Sequence, residues 1–245
     1  CVGASITATV TVNAIPTIVC PANINLSNTV GQCGRIVTYT PTITGIPVPV
    51  VTYTFTGATT GSGNGDGSGS FFNIGTTNVE IIATNSCGAD TCTFTVTIND
   101  TENPTITCPA NITVECPGDV PTPNVGSVTA SDNCPGFVVT FRGDVITNQT
   151  CLSRYTITRT YRVTDASGNF VECQQTIIVN DQTAPVITCP APVTVSCAAA
   201  VPPVNIALVT ASDNCGSLGG PVTITWQGDV ISAQTCANRY TITRT

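Results

Sequence analysis

The sequence predicts an all-β chain of tandem sandwich domains, arranged end to end and stapled by disulfides. Three observations carry that expectation. Polarity alternates with period two: in residues 93–98 Phe, Val and Ile alternate with Thr, and in 155–163 Ile157 alternates with Thr and Arg. Such alternation is the mark of half-buried strands. The chain also repeats itself at intervals of 80–90 residues. Finally, its 245 residues hold 14 Cys and no His, a balance that favours disulfides over zinc or catalytic thiols.

The repeats set the order of the elements. PTIVCPANI at residue 16 returns as PTITCPANI at 104 and PVITCPAPV at 185. TASDNC at 129–134 returns at 210–215, and GDVITNQTCLSRYTITRT at 143–160 returns as GDVISAQTCANRYTITRT at 228–245. The first unit closes like the second: CTFTVTIND at 92–100 parallels CQQTIIVND at 173–181. The domains are therefore 16–100, 101–181 and 182–245, the last incomplete at its C-terminal end. Residues 1–15 read as the last strand of a preceding repeat, because residues 1–12 match 87–98 in polarity and Cys1 falls on Cys87. This is the pattern of a window on a longer tandem array.

Within a unit, breakers at GQCG (31–34), the Gly/Ser run (61–70) and ASGN (166–169) divide the chain into about seven short strands. That number in 80–90 residues is the signature of an immunoglobulin-like β-sandwich. The joints INDTENP and VNDQTAP are short and end in Pro, which fixes φ and limits bending.

Composition excludes several functions. The net charge is −7 and the seven cationic residues, all Arg, are scattered, so neither a nucleic-acid backbone nor an anionic membrane is a fitting partner. No apolar run approaches the roughly 18 residues of a membrane span. With no His or Lys to serve as base, and carboxylates that follow the repeat instead of gathering in one place, no catalytic residues are assigned and the chain is not expected to be an enzyme. Trp226 aligns with Phe141 and is expected in the core.

The repeats also constrain the disulfides. Cys20 and Cys108 lie in first strands, Cys92 and Cys173 open last strands, and these strands begin near one pole of such a sandwich. Cys20 is therefore paired with Cys92 and Cys108 with Cys173. Elimination leaves Cys33 with Cys87. Cys116 is paired with Cys151 on the argument that both sit near the far pole. Cys134 is then odd, and Cys1 and Cys189 have no partner in the sequence.

Asp100, Glu102, Asp132 and Asp165 form the candidate metal set. Loops holding Asp132 and Asp165 face the joint that holds Asp100 and Glu102, and hard oxygen ligands gathered there suit Ca²⁺; the alternative is that these residues serve turns. The run SGNGDGSGS at 62–70 lacks the Lys of a P-loop and the spaced acids of an EF-hand, and is read as a flexible connection. Asn25, Asn99, Asn111 and Asn148 stand in glycosylation sequons.

The blocks PTIVCP, GQCGRIVTYT, SGSFFNIGTTNV and ATNSCGADTCTFTVTIND resemble the hyalin repeat (HYR) domain. ITCP, VEC or VSC, SDNC, RYTITRT and TDASGN look like the HYR-like repeats of very long Bacteroidota surface proteins, gliding-motility adhesins among them. Ser167 departs from that pattern, as does the missing DNC element of the first unit. The resemblance implies extracellular adhesive or scaffolding modules at the bacterial cell surface, often exported by the type IX route, without catalytic residues. The expected function is thus a structural segment of a filament or adhesin stalk. Its partners are neighbouring repeats of one long chain, or identical subunits. The alternatives are a module whose loops recognise a glycan or surface, and a fibre subunit that donates residues 1–12 as a strand to the next copy.

Overall fold

The computed structural model describes residues 12–245. The expected extra strand at 1–15 falls largely outside them, as does Cys1. Among the described residues the regular structure is β-strand, joined by turns and five short 3₁₀ segments, with no α-helix.

The first repeat contains β1 (Ala14–Val19), β2 (Ile24–Ser27), β3 (Gly34–Val37), β4 (Thr42–Ile46), β5 (Val50–Gly57), β6 (Gly61–Asn64), β7 (Ser70–Asn73), β8 (Gly75–Asn85) and β9 (Gly88–Asn99). A five-stranded sheet runs β2-β9-β8-β5-β6, and β1–β4 and β3–β7 pair separately. β2 lies parallel to β9, Ile24 opposite Val96, whereas β8 and β9 are antiparallel, Val79 opposite Phe94. Alternation sorts the faces: Thr77, Val79, Ile81 and Ala83 of β8 are buried, as are Phe94, Val96 and Ile98 of β9. One cluster joins these to Ile18 of β1, Val37 of β3 and Phe72 of β7. Two layers thus share a single core, which makes a sandwich. Aromatic rings fill it, Phe55 against Phe72 at 5.0 Å and Tyr39 edge-on to Phe94 at 4.9 Å. The one fully buried polar side chain on β8, Thr77, accepts the Thr59 amide at 3.0 Å.

The Gly/Ser run is not merely a connection. Its start is strand β6, and its turn packs on Tyr39, whose hydroxyl donates to the Asp66 carbonyl at 2.9 Å and whose amide donates to Ser68 Oγ at 2.8 Å. Gly67 has φ +77°, and a Cβ there would meet the Phe55 ring at 2.6 Å. Glycine is therefore required by both conformation and space.

The second repeat supplies β10 (Thr105–Thr107), β11 (Ile112–Val114), β12 (Thr129–Ser131), β13 (Val138–Cys151), β14 (Arg154–Thr164) and β15 (Phe170–Asn180). A four-stranded sheet runs β11-β15-β14-β13, and β10 pairs with β12. β11 is parallel to β15, Ile112 opposite Ile177, repeating the β2–β9 arrangement. The CPAN motif explains the recurrence: Asn23 Oδ1 accepts the Thr95 amide at 3.0 Å, and Asn111 Oδ1 the Thr176 amide at 2.8 Å. The third repeat supplies β16 (Val186–Thr188), β17 (Thr210–Ser212), β18 (Asp229–Cys236) and β19 (Arg239–Arg244), paired β16–β17 and β18–β19, both antiparallel.

The chain forms two compact units. One comprises the described part of Cys1–Ile106 with Thr129–Val139 and Arg162–Glu172; the other comprises Thr107–Val128, Thr140–Tyr161 and Cys173–Thr245. The first unit therefore takes two loops from the second sequence repeat, those carrying DNC and TDASGN.

Among the described residues four disulfides are present: Cys20–Cys92, Cys108–Cys173, Cys33–Cys134 and Cys116–Cys215. The first two lie within single repeats. The expected pairs Cys33–Cys87 and Cys116–Cys151 are incorrect. Cys87 sits in the β8–β9 turn, at the start of a strand of 12 residues, whereas the turn holding Cys33 is fastened to that strand's far end. At about 3.4 Å per residue these places are about 40 Å apart. Cys151 ends β13 and is exposed, while Cys215 is 7% exposed and Asn214 beside it donates to Glu115, the neighbour of Cys116, at 3.1 Å. Cys33 and Cys116 each bond the DNC cysteine of the following repeat. Cys87, Cys151, Cys189, Cys197 and Cys236 are free and exposed.

Candidate functional site

The joint after the first repeat is built from the end of β9. Asn28, just past β2, donates its amide to the Asn99 carbonyl at 2.9 Å, and its Oδ1 accepts the Thr101 amide at 3.2 Å. The chain cannot continue as a strand through these bonds, and Asp100 turns inward. Its Oδ1 accepts the Glu102 amide at 3.1 Å, the local turn that aspartate favours. Glu102 faces elsewhere. Its carboxylate accepts from Asn28 Nδ2 at 2.9 Å and from the Gly31 amide at 2.7 Å, so the GQCG turn of the first repeat is clamped to the joint.

Two loops of the second repeat meet this turn. In SDNC, Asp132 Oδ2 accepts the Cys134 amide at 2.9 Å, Asn133 Nδ2 donates to the Gln32 carbonyl at 3.2 Å, and Cys134 bonds Cys33. In TDASGN, Asp165 Oδ1 accepts the Ser167 and Asn169 amides at 2.9 and 2.8 Å, and Oδ2 accepts Asn169 Nδ2 at 2.8 Å. Asn169 Nδ2 also reaches the Asp100 carbonyl at 3.3 Å.

Oxygens of Asp100 and Asp132 and the Cys134 sulfur lie within 4.8 Å of one another. The sulfur is in a disulfide, so it is not a thiolate ligand. Asp100 is 8% exposed. Asp100 Oδ2 and Asp132 Oδ1 are buried without a hydrogen-bond partner, and an ionised carboxylate in that state is costly. Burial pushes the Asp100 carboxyl up from its ordinary value; the Glu102 amide opposes this, and the charges of Asp132, Asp165 and Glu102 add to it. Of the four acids read as a metal set, Asp100 and Asp132 converge, Asp165 adds its charge beside them, and Glu102 is engaged as a clamp.

The next joint repeats the pattern. Asp181 Oδ1 accepts the Thr183 amide at 2.9 Å and Asp213 Oδ1 the Cys215 amide at 3.0 Å. Oxygens of these two acids and the Cys215 sulfur again lie within 4.8 Å. Glu115 takes the clamping place, accepting from Thr183 Oγ1 at 3.4 Å and from Asn214 at 3.1 Å.

The sequon asparagines have separate roles. Asn25 and Asn99 bond each other across β2 and β9, Asn111 pins β15, and Asn148 stands exposed on β13 with φ +54°.

Sequence reasoning missed a buried ion pair. On β14 the inward row is Ile157, Arg159, Tyr161, Val163. The Arg159 side chain is 3% exposed, with two bonds of 2.9 Å to Asp144 and one of 2.8 Å to the Pro121 carbonyl. The Asp144 hydrogen bond holds the guanidinium pKa above its usual value, against the opposing effect of burial. Arg244 makes the same contacts in the third repeat, to Asp229 and to the Pro202 and Pro203 carbonyls. The signal was the joint recurrence of GDVI and RYTITRT. Trp226 is a correction: it is 50% exposed. It precedes β18, outside the paired hairpin, and satisfies its indole N–H with Asp229 at 3.2 Å.

Residues 104–179 match the HYR-like domain with 4 cysteines. That span holds five cysteines, and four of them, Cys108, Cys116, Cys134 and Cys173, are in disulfides. No curated protein matches the chain. Among solved structures it is similar to Drosophila N-cadherin EC1-4, at 13% identity and TM-score 0.33 over 67% of this chain and 49% of that one. It is also similar to human protocadherin-24 EC1-2, at 14% identity and TM-score 0.32 over 70% and 100%, and to protocadherin gamma B7 EC1-4, at 14% and 0.32 over 90% and 65%. The chain spans about half the length of the N-cadherin fragment.

Proposed function

We propose that the chain is a run of structural repeats from a long extracellular filament or adhesin stalk of a bacterial cell surface, supplying reach and rigidity to adhesion. One observation carries this reading: at equivalent positions, Cys33–Cys134 and Cys116–Cys215 tie each repeat to the loop of the next. A covalent tie beside a short Pro-containing joint opposes bending there, a property useful to a strut. Disulfides of this kind persist outside the cytosol. Small-angle X-ray scattering of the oxidised chain and of a Cys33→Ser/Cys134→Ser variant tests it. The oxidised chain is expected to scatter as an elongated, rigid particle and the variant as a more flexible one. A compact particle, or identical flexibility in both, overturns the reading.

Exposed Trp226 favours a second reading, a glycan-recognising module, since a solvent-facing indole ring offers a platform for a sugar face. Glycan-array binding lost in Trp226→Ala is the expected result on that reading, and an array without any signal for the native chain removes it.

A further inference from the structure

The orphaned carboxylate oxygens at the joint have two physical resolutions, a shared proton or a cation. The geometry points to a Ca²⁺ site held by Asp100 and Asp132, with Asp165 beside them. This deepens the structural reading above, since one acid follows β9 of the first repeat and the other comes from the DNC loop of the next.

Four observations converge. Asp100 Oδ2 and Asp132 Oδ1 are buried, lack partners and belong to acids whose oxygens approach within 4.8 Å. The Asp165 carboxylate beside them is filled by three bonds, so among the described residues of this joint the buried side-chain oxygens without a partner are those of the converging pair. The chain has only seven cationic side chains in all, every one an Arg, against 14 acids. A matching pair of acids, Asp181 and Asp213, recurs in a more exposed setting beside the next inter-repeat disulfide, which ties the pairing to the joint. The donors are hard oxygens and the neighbouring sulfur is already bonded, which selects Ca²⁺ over a thiophilic metal. Two or three carboxylates completed by carbonyls or water suit a dissociation constant of about 10⁻⁴–10⁻³ M, the range of extracellular calcium modules.

The test uses the full oxidised chain, freed of metal by chelation. Equilibrium dialysis against ⁴⁵Ca²⁺ is expected to find about one ion per chain, lost in Asp100→Asn. At pH 7.5, 10 mM CaCl₂ is expected to raise the melting temperature by about 5–10 °C over NaCl of equal ionic strength. The shift shrinks in Asp100→Asn and in Asp132→Asn, and survives in Asp66→Asn, whose acid lies in the distant Gly/Ser turn. Absence of bound ⁴⁵Ca²⁺ in the native chain overturns the proposal and leaves the shared proton. Asp100→Asn and Asp132→Asn chains that bind the ion as the native chain does overturn it equally. Either failure leaves the disulfide-based structural reading standing, because that reading is judged by scattering without calcium.

Discussion

Replacing Cys20 and Cys92 together with serine is expected to remove about 4 kcal/mol from the stability of the first repeat, the chain-entropy value for a loop of this length. The bridge joins residues 72 apart in sequence and ties the end of β1 to β9. A domain of this size has only about 5–15 kcal/mol in total, so the melting temperature falls by on the order of 20 °C. Cys33→Ser/Cys134→Ser opens a ring with a separation of 101 and is expected to cost about 5 kcal/mol by the same relation. Cys87→Ser touches an exposed free thiol and is expected to stay within about 0.5 kcal/mol of the native chain. Calorimetry of the three variants, with non-reducing peptide mapping, separates the bridges. A Cys87→Ser variant as unstable as the Cys33→Ser/Cys134→Ser one restores the pairing that the repeats alone suggested.

Asp144→Ala is expected to cost about 3–5 kcal/mol, because it strands a guanidinium that is nearly sealed from water. Arg159 keeps the Pro121 carbonyl in that variant but loses its carboxylate partner. The double change Arg159→Met/Asp144→Leu removes both charges and is expected to recover most of the loss, since well-packed apolar replacements of buried pairs are often neutral. Asp229→Ala provides the contrast. The Arg244 side chain is 33% exposed, so water takes over from the lost partner and about 0–1 kcal/mol is expected. Urea unfolding measures all three. Equal losses in Asp144→Ala and Asp229→Ala would show that burial does not set the value of the pair.

The alternation of Thr with aliphatic residues made the strands legible, because period two sorts side chains to opposite faces whatever the neighbours are. Cys20–Cys92 and Cys108–Cys173 were readable for a similar reason: both ends lie in one repeat, on strands that share a pole. The other pairs escaped because each repeat was treated as closed. Yet Cys134 was the odd thiol of its repeat, and moving the partner of Cys33 forward by one repeat resolves that imbalance while leaving Cys87 free. Arg159 looked polar when Ile157 was counted against Thr and Arg, but strict alternation places it in line with Ile157 and Tyr161. The gathering of Asp100, Asp132 and Asp165 followed from loops at one pole. The turning away of Glu102 did not, since it depends on Asn28 and Gly31, which are over 70 residues distant in sequence.

The four bridges overlap in sequence: 20 to 92, 33 to 134, 108 to 173 and 116 to 215. Every peptide bond between Cys20 and Cys215 is therefore enclosed by at least one of them. A single proteolytic nick anywhere in that stretch leaves one covalent molecule, and tension applied along it passes through sulfur around the break. Had every bridge stayed inside its own repeat, one cut in a connecting segment would sever the strand; overlapping the rings removes that weakest link.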